Sequence, residues 1–194
     1  MPKLYSEQQR QEIRRRLRRA AEQSIATRGI RKTTVDELVR SAGIPKGTFY
    51  LFYSSKEKLI FEVLERAQRE FERREEERWA QLPPGASCDE VTGAAWALLR
   101  EARELPLLRT LCGAEIDCLA QKLPPALLEA HFKADQERAA AMLEKLAHGR
   151  SVNARAFSAA RQALFRCAFA GDGAAGGDAG LHLLLRGLIL QLTG

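Results

Sequence analysis

Residues 33–58 read TTVDELVRSAGIPKGTFYLFYSSKEK, two short helical patterns separated by Ala42-Gly43-Ile44-Pro45. In the first, Val35, Leu38 and Val39 recur at i, i+3 and i+4, one face of a helix. Thr34 precedes this pattern and Glu37 stands three residues on, the spacing of a capping box. Gly43 suits the left-handed residue that ends a helix, and Pro45 suits the first turn of the next. The second helix, expected over 46–53, has about two turns and needs neighbours to hold it. Phe49 and Tyr53, four apart, share a face and should pack inward. Gly47, Thr48, Tyr50 and Leu51 then point broadly outward, with Lys46 at the edge. Lys46, Thr48 and Tyr50 offer an ammonium and two hydroxyls to phosphates or base edges, and Leu51 offers apolar surface to a thymine methyl. Gly47 lets the backbone approach a duplex closely. A helix-turn-helix fits this pattern. From spacing alone, a buried helical hairpin with a wet outer face fits it as well.

Charge separates the two readings. Residues 1–60 carry 14 Lys+Arg against 6 Asp+Glu, and the remaining residues carry 17 against 19. The basic excess of the chain, net +6, therefore sits with the helical pair, as a partner bearing phosphates requires. The first helix adds Arg14, Arg15, Arg16, Arg18 and Arg19 around an inward stripe of Ile13, Leu17, Ala20, Ala21 and Ile25. One or two of these arginines are expected on phosphate, the others supplying field or plain solvation. Ser6 with Gln9 caps the start of that helix, and Gly29 ends it.

The stretch resembles the DNA-binding signature of TetR-family transcriptional regulators. The residues that carry the likeness are Thr33, Thr34, Val35, Ala42, Gly43, Ile44, Lys46, Gly47, Thr48, Phe49, Tyr50, Phe52, Tyr53, Ser55, Lys56 and Glu57. The resemblance implies an all-α chain of about nine helices. Residues 1–60 would form a three-helix DNA-binding domain and 61–194 a ligand-sensing and dimerisation domain. It implies DNA contacts from Thr34, Pro45, Lys46, Gly47, Thr48, Tyr50 and Leu51, and from Lys56 to the backbone. Two positions depart from the family pattern. Pro45 replaces a frequent Ser, removing a hydroxyl that could cap the helix or touch phosphate. Ser24-Ile25 replaces Leu-Phe, which is expected to repack the core.

Beyond residue 54, Leu59, Ile60, Val63, Leu64, Ala67 and Phe71 continue at helical spacing into the charged run Glu72-Arg73-Arg74-Glu75-Glu76-Glu77-Arg78, read as a solvated helix end. Pro83-Pro84-Gly85 breaks the chain, and Ser87 with Glu90 gives a third capping-box spacing. Pro106 opens a helix running to Leu119, and Pro124-Pro125 lead into a long amphipathic helix ending at His148-Gly149. Ser151 opens the next helix. The last, LHLLLRGLILQL from Leu181 to Leu192, is apolar nearly all round, as in a helix buried on two sides. A dimer through about Ser151–Leu192 follows, and two-fold symmetry suits a palindromic site; a central helix in a monomeric bundle would look the same. In the resembled family the last two helices form a dimeric four-helix bundle.

Cys88, Cys112, Cys118 and Cys167 have no CxxC spacing and no clustered histidines, so no metal and no cofactor is expected. Residues 171–176, GDGAAG, satisfy the GxGxxG pattern but lack the strand before and the acidic residue after that dinucleotide binding needs. His131, His148 and His182 have no nucleophile or carboxylate at a catalytic spacing, and no enzyme is expected. No run of about 18 apolar residues and no apolar leader occurs, so a cytoplasmic protein off the membrane is expected. The reading is a dimeric repressor on a palindromic operator, released by a small molecule that tilts the fourth helix, the ligand step being implied by the family. Trp96, Cys112, Phe132, Met142 and Phe165 are candidate pocket walls that ordinary core packing would also explain. The competing reading is a ligand-binding or interaction module whose helix-turn-helix is vestigial.

Overall fold

The computed structural model describes residues 5–111, 114–146, 152–169 and 177–193. Among them are ten α-helices and no strand. The order is α1 (Glu7–Lys32), α2 (Val35–Ala42), α3 (Lys46–Tyr50), α4 (Lys56–Ala80), α5 (Cys88–Arg103), α6 (Pro106–Leu111), α7 (Ala114–Ala120), α8 (Pro125–Leu146), α9 (Ala154–Phe169) and α10 (Gly177–Thr193). The chain is all-α. The helix expected from Pro106 to Leu119 is two helices, α6 and α7. Cys112, the helix end at His148-Gly149, Ser151 and the glycine-rich run 171–176 lie outside the described residues.

The chain divides into two compact units: Met1–Arg69 with Pro106–Leu123, and Glu70–Leu105 with Pro124–Gly194. The boundary expected at residue 60 falls inside α4, which contributes to both units.

In the first unit, α1 packs on α2, α6 and α7, and α2 packs on α3. Leu17, Leu38, Phe49, Leu59, Ile60, Leu64 and Leu119 are fully buried there. Local chemistry sets the helix ends. Ser6 and Gln9 form a complete capping box on α1, and Thr34 and Glu37 form one on α2. Gly43 ends α2 in the left-handed conformation, at φ 66°. Gly29 interrupts α1 with φ 81° and ψ 174°, a backbone region essentially reserved for glycine. The amide freed by this break, on Ile30, donates to Glu115 Oε2 of α7 at 2.7 Å.

In the second unit, α10 packs on α5, α9 and α8, while α9 also packs on α8 and α5. Val91, Leu99, Leu143, Leu146, Phe157, Leu164, Leu185 and Ile189 build its core. Ser87 and Glu90 form the third capping box, at the start of α5. In α10, Leu181, Leu185, Ile189 and Leu192 are buried at helical period, whereas Leu183, Leu184 and Leu190 are exposed. No helix of the described residues is long and apolar enough to cross a membrane.

Candidate nucleic-acid interface and ligand cavity

The short helix α3 is fixed from one side. Phe49 is completely buried and Tyr53 nearly so, their rings 5.9 Å apart. The helix closes after Tyr50, with Leu51 and Phe52 in a turn rather than in the longer helix that spacing suggests. Tyr50 and Leu51 stand out at 53% and 58% exposure, and Pro45, Lys46 and Gly47 are exposed beside them. Pro45 occupies the N-cap of α3 and supplies no side-chain hydrogen bond to it. Lys46 Nζ lies 2.9 Å from Asp36 Oδ1, and that carboxylate holds the ammonium above its ordinary range. Thr34 is exposed and engaged with Glu37 in the α2 capping box.

Two positions assigned outward or to phosphate are placed elsewhere. Thr48 is buried, its hydroxyl 3.3 Å from that of Tyr5, because the segment before α1 covers it. Lys56 Nζ donates to the Thr33 carbonyl at 2.6 Å, tying the start of α4 to the α1–α2 turn. That turn holds the buried polar network of this unit. Arg28 Nη2 donates to Ser24 Oγ at 3.0 Å, Ser24 Oγ lies 2.8 Å from Thr33 Oγ1, and Thr33 Oγ1 donates to the Gly29 carbonyl at 2.9 Å. Ser24 is thus a buried residue of α1 whose hydroxyl is held by Thr33 and Arg28. Buried hydroxyls favour a partner, and those of Ser24 and Thr33 each have one.

The arginines of α1 are largely committed to neighbours. Arg15 and Arg16 bracket Glu12 at 2.7 and 2.8 Å and hold its carboxyl at about 2. The Arg10 and Arg14 guanidinium groups lie over the Phe52 ring at 5.3 and 5.8 Å. They pack as cations on the ring of Phe52, the residue that follows Tyr50 and Leu51 in sequence.

The second unit contains a cavity lined mainly by Val91, Leu98, Met142, Phe157, Phe165 and Leu188, with Glu75, Trp79 and Arg161 as its polar members. The cavity encloses about 50 Å³. Met142 and Phe165 are thus on its wall. Trp96 and Phe132 are not: Trp96 packs edge-on to His182 at 5.1 Å, and Phe132 is 54% exposed.

Glu75 overturns the reading of residues 72–78 as a solvated end. It is 8% exposed, and Arg161 Nη1 lies 3.5 Å from its Oε2. Glu72 is also engaged, 3.0 Å from Arg138 Nε. A signal for Glu75 existed. Phe71, Glu75 and Trp79 are spaced by four, so the apolar face of α4 continues through a glutamate. Burial pushes the Glu75 carboxyl up to about 7, against a partly offsetting Arg161 and with Glu72 and Glu76 pushing the same way. The folded chain then holds this proton more firmly than the unfolded one. The associated stability is complete below about pH 4.5 and is lost as pH rises to about 7. Glu75→Gln removes the effect. Between about pH 5 and about pH 8, stability should shift by about 2 kcal/mol in favour of the Gln variant, measured by urea denaturation. A constant difference would refute the raised carboxyl.

Residues 17–63 match the family model for bacterial regulatory proteins, tetR family. The chain carries a tetR-family domain. The matched segment spans most of α1, all of α2 and α3, and the start of α4. No curated protein is matched by sequence. Solved structures share the fold over nearly the whole chain. RolR in complex with resorcinol is 18% identical, with 96% of this chain and 90% of that one covered at a TM-score of 0.65. FadR of Thermus thermophilus, a TetR-family transcriptional repressor solved with lauroyl-CoA, is 20% identical over 92% of each chain at 0.61. The fatty acid degradation regulator FadR of Bacillus halodurans is 16% identical over 99% and 97% at 0.60. The tetR-family domain thus sits in a chain whose remaining helices also follow the fold of such regulators.

Proposed function

We propose that this tetR-family protein is a repressor that binds a palindromic operator as a homodimer and is released by a small-molecule effector. The observation that carries the DNA step is the exposed pair Tyr50 and Leu51 on a helix held by buried Phe49 and Tyr53, in the basic part of the chain. A fixed helix with an exposed hydroxyl and an apolar side chain beside a lysine can meet phosphate and base edges at once. Pro45, Lys46, Gly47 and Thr34 flank that pair and are assigned to the same surface. Lys56 and Thr48 act through position, the first by its bond to Thr33 and the second by its contact with Tyr5.

The dimer step rests on unit 2. α9 exposes Ala156, Ala159 and Ala163, small residues that allow close helix approach, and α10 exposes Leu183, Leu184 and Leu190. The effector step rests on the cavity and on the fold. Proteins of this fold have been solved with resorcinol and with lauroyl-CoA, which supports a small-molecule effector here. α4 would transmit the signal, since one continuous helix carries Leu59 and Ile60 in the first unit and Glu75 and Trp79 in the second. Ligand and DNA then favour different states of the same dimer.

The test is operator affinity by fluorescence anisotropy on the chain's own promoter, against random DNA of equal length. Tyr50→Ala should weaken specific binding at least about tenfold, with the dimer intact. Lys46→Ala should also weaken it, and flatten the salt dependence by about one counterion. Unchanged affinity in both variants removes α3 as the reading element.

A further inference from the structure

Two arginines of α1 are placed differently from their neighbours. Arg15 and Arg16 bracket Glu12, Arg18 faces Glu62 at 3.4 Å, and Arg28 is paired with Glu37. Among the described residues, Arg10 and Arg14 face no such carboxylate. Both lie over the single ring of Phe52, at 5.3 and 5.8 Å from its centroid. Two like charges four apart on a helix repel, and drawing both to one ring keeps that cost. The negative face of the ring offsets part of it, and an anion seated at both guanidinium groups would offset more.

The place of the ring selects the anion. Phe52 follows Leu51 directly, so their Cα atoms are about 3.8 Å apart. Its amide donates to the Phe49 carbonyl at 2.9 Å. Tyr5 joins the same ring, its centroid 6.1 Å from that of Phe52, and its hydroxyl lies 3.3 Å from Thr48 Oγ1 in α3. Tyr5, Arg10, Arg14 and Phe52 are each half-buried. They form one cluster joined to the end of α3 that carries exposed Tyr50 and Leu51. A guanidinium over a ring keeps N–H groups for acceptors, and its planar fork matches phosphate oxygens. Held at the ring, it suits the DNA backbone rather than base edges.

We propose that Arg10 and Arg14, set on Phe52, clamp the phosphate backbone of duplex DNA beside the α3 contact. This rests on the reading of α3 as the DNA-contacting helix, and it adds a sequence-independent anchor to it. Binding of the full-length chain to promoter and random duplexes is followed by fluorescence anisotropy across a salt series. Arg10→Gln with Arg14→Gln should weaken binding to both duplexes by the same factor, about tenfold at about 0.1 M salt, and flatten the salt slope by about two. Arg10→Lys with Arg14→Lys keeps the charges and should restore the slope. Phe52→Leu keeps the arginines and removes their support, so affinity for both duplexes should fall about threefold with the slope retained. The proposal is overturned if the Gln pair leaves the slope unchanged or loses affinity for the promoter duplex alone. It is also overturned if the Lys pair loses as much slope as the Gln pair, or if Phe52→Leu binds random DNA as tightly as the unaltered chain. Tyr50→Ala is measured alongside. Lost promoter preference in Tyr50→Ala, with no effect of the Gln pair, removes the clamp alone. A slope flattened by the Gln pair, with promoter DNA never preferred over random DNA, keeps the clamp and overturns the operator reading, so the two fail separately.

Discussion

Gly29→Ala lowers stability by about 3 kcal/mol, and the loss is read in urea or thermal denaturation. Two costs combine. At φ 81° and ψ 174° the backbone lies in a region that side chains bearing Cβ hardly enter. A Cβ built there would also sit 2.7 Å from Glu115 Oε2. The glutamate could swing aside, but that oxygen is the acceptor for the Ile30 amide. Moving it leaves a backbone donor without a partner beside the turn that holds Thr33 and Ser24. Glu115→Ala removes the clash and keeps the backbone strain. Combined with Gly29→Ala, it should therefore cost less than the sum of the two single changes. Stability of Gly29→Ala within about 0.5 kcal/mol of the unaltered chain would show that the break in α1 is not required.

Changing Leu183 and Leu184 together to Glu should weaken dimerisation by more than about a hundredfold, read as a concentration-dependent shift in sedimentation velocity. Leu183 is 71% and Leu184 54% exposed in the single chain. Burying a leucine side chain yields about 1.5–3 kcal/mol, and a two-fold interface counts every substitution twice. Neither residue belongs to the core of its own unit, whose α10 members are Leu181, Leu185, Ile189 and Leu192. The double variant should therefore fold as a monomer with unchanged helicity. A dimer of unaltered affinity would move the interface away from this face.

Much of the fold is legible because its determinants are local. The pairs Ser6–Gln9, Thr34–Glu37 and Ser87–Glu90 each close as capping boxes, and Gly43 takes the left-handed cap that its place between two patterns suggests. The inward role of Phe49 and Tyr53 also follows from spacing alone. What escapes is set by residues distant in sequence. Thr48 looks outward until Tyr5, 43 residues away, covers it. Lys56 looks like a phosphate ligand until the Thr33 carbonyl meets it from 23 residues away. Glu75 is hidden by its company, since a glutamate among Arg73, Arg74, Glu76 and Glu77 reads as one more solvated charge. Only its register with Phe71 and Trp79 marks it as an inward residue of the cavity. Phe132 fails the opposite way, its apolar character suggesting burial that its face of α8 does not provide.

The partnership of Glu115 with Ile30 bears on how the chain acquires its shape. The first unit is discontinuous: the polypeptide leaves it after Arg69 and re-enters with Pro106–Leu123. The Ile30 amide waits for an acceptor 85 residues downstream. Closing so long a loop is entropically slow compared with forming α1, α2 and α3, whose contacts are mostly short in range. During synthesis those three helices can assemble early, but their turn gains its last hydrogen bond only after α7 has emerged. A fragment ending at residue 69 would keep Tyr50 and Leu51 yet lose both that acceptor and the buried Leu108 and Leu119. The proposed reading element is completed by a segment encoded well beyond it.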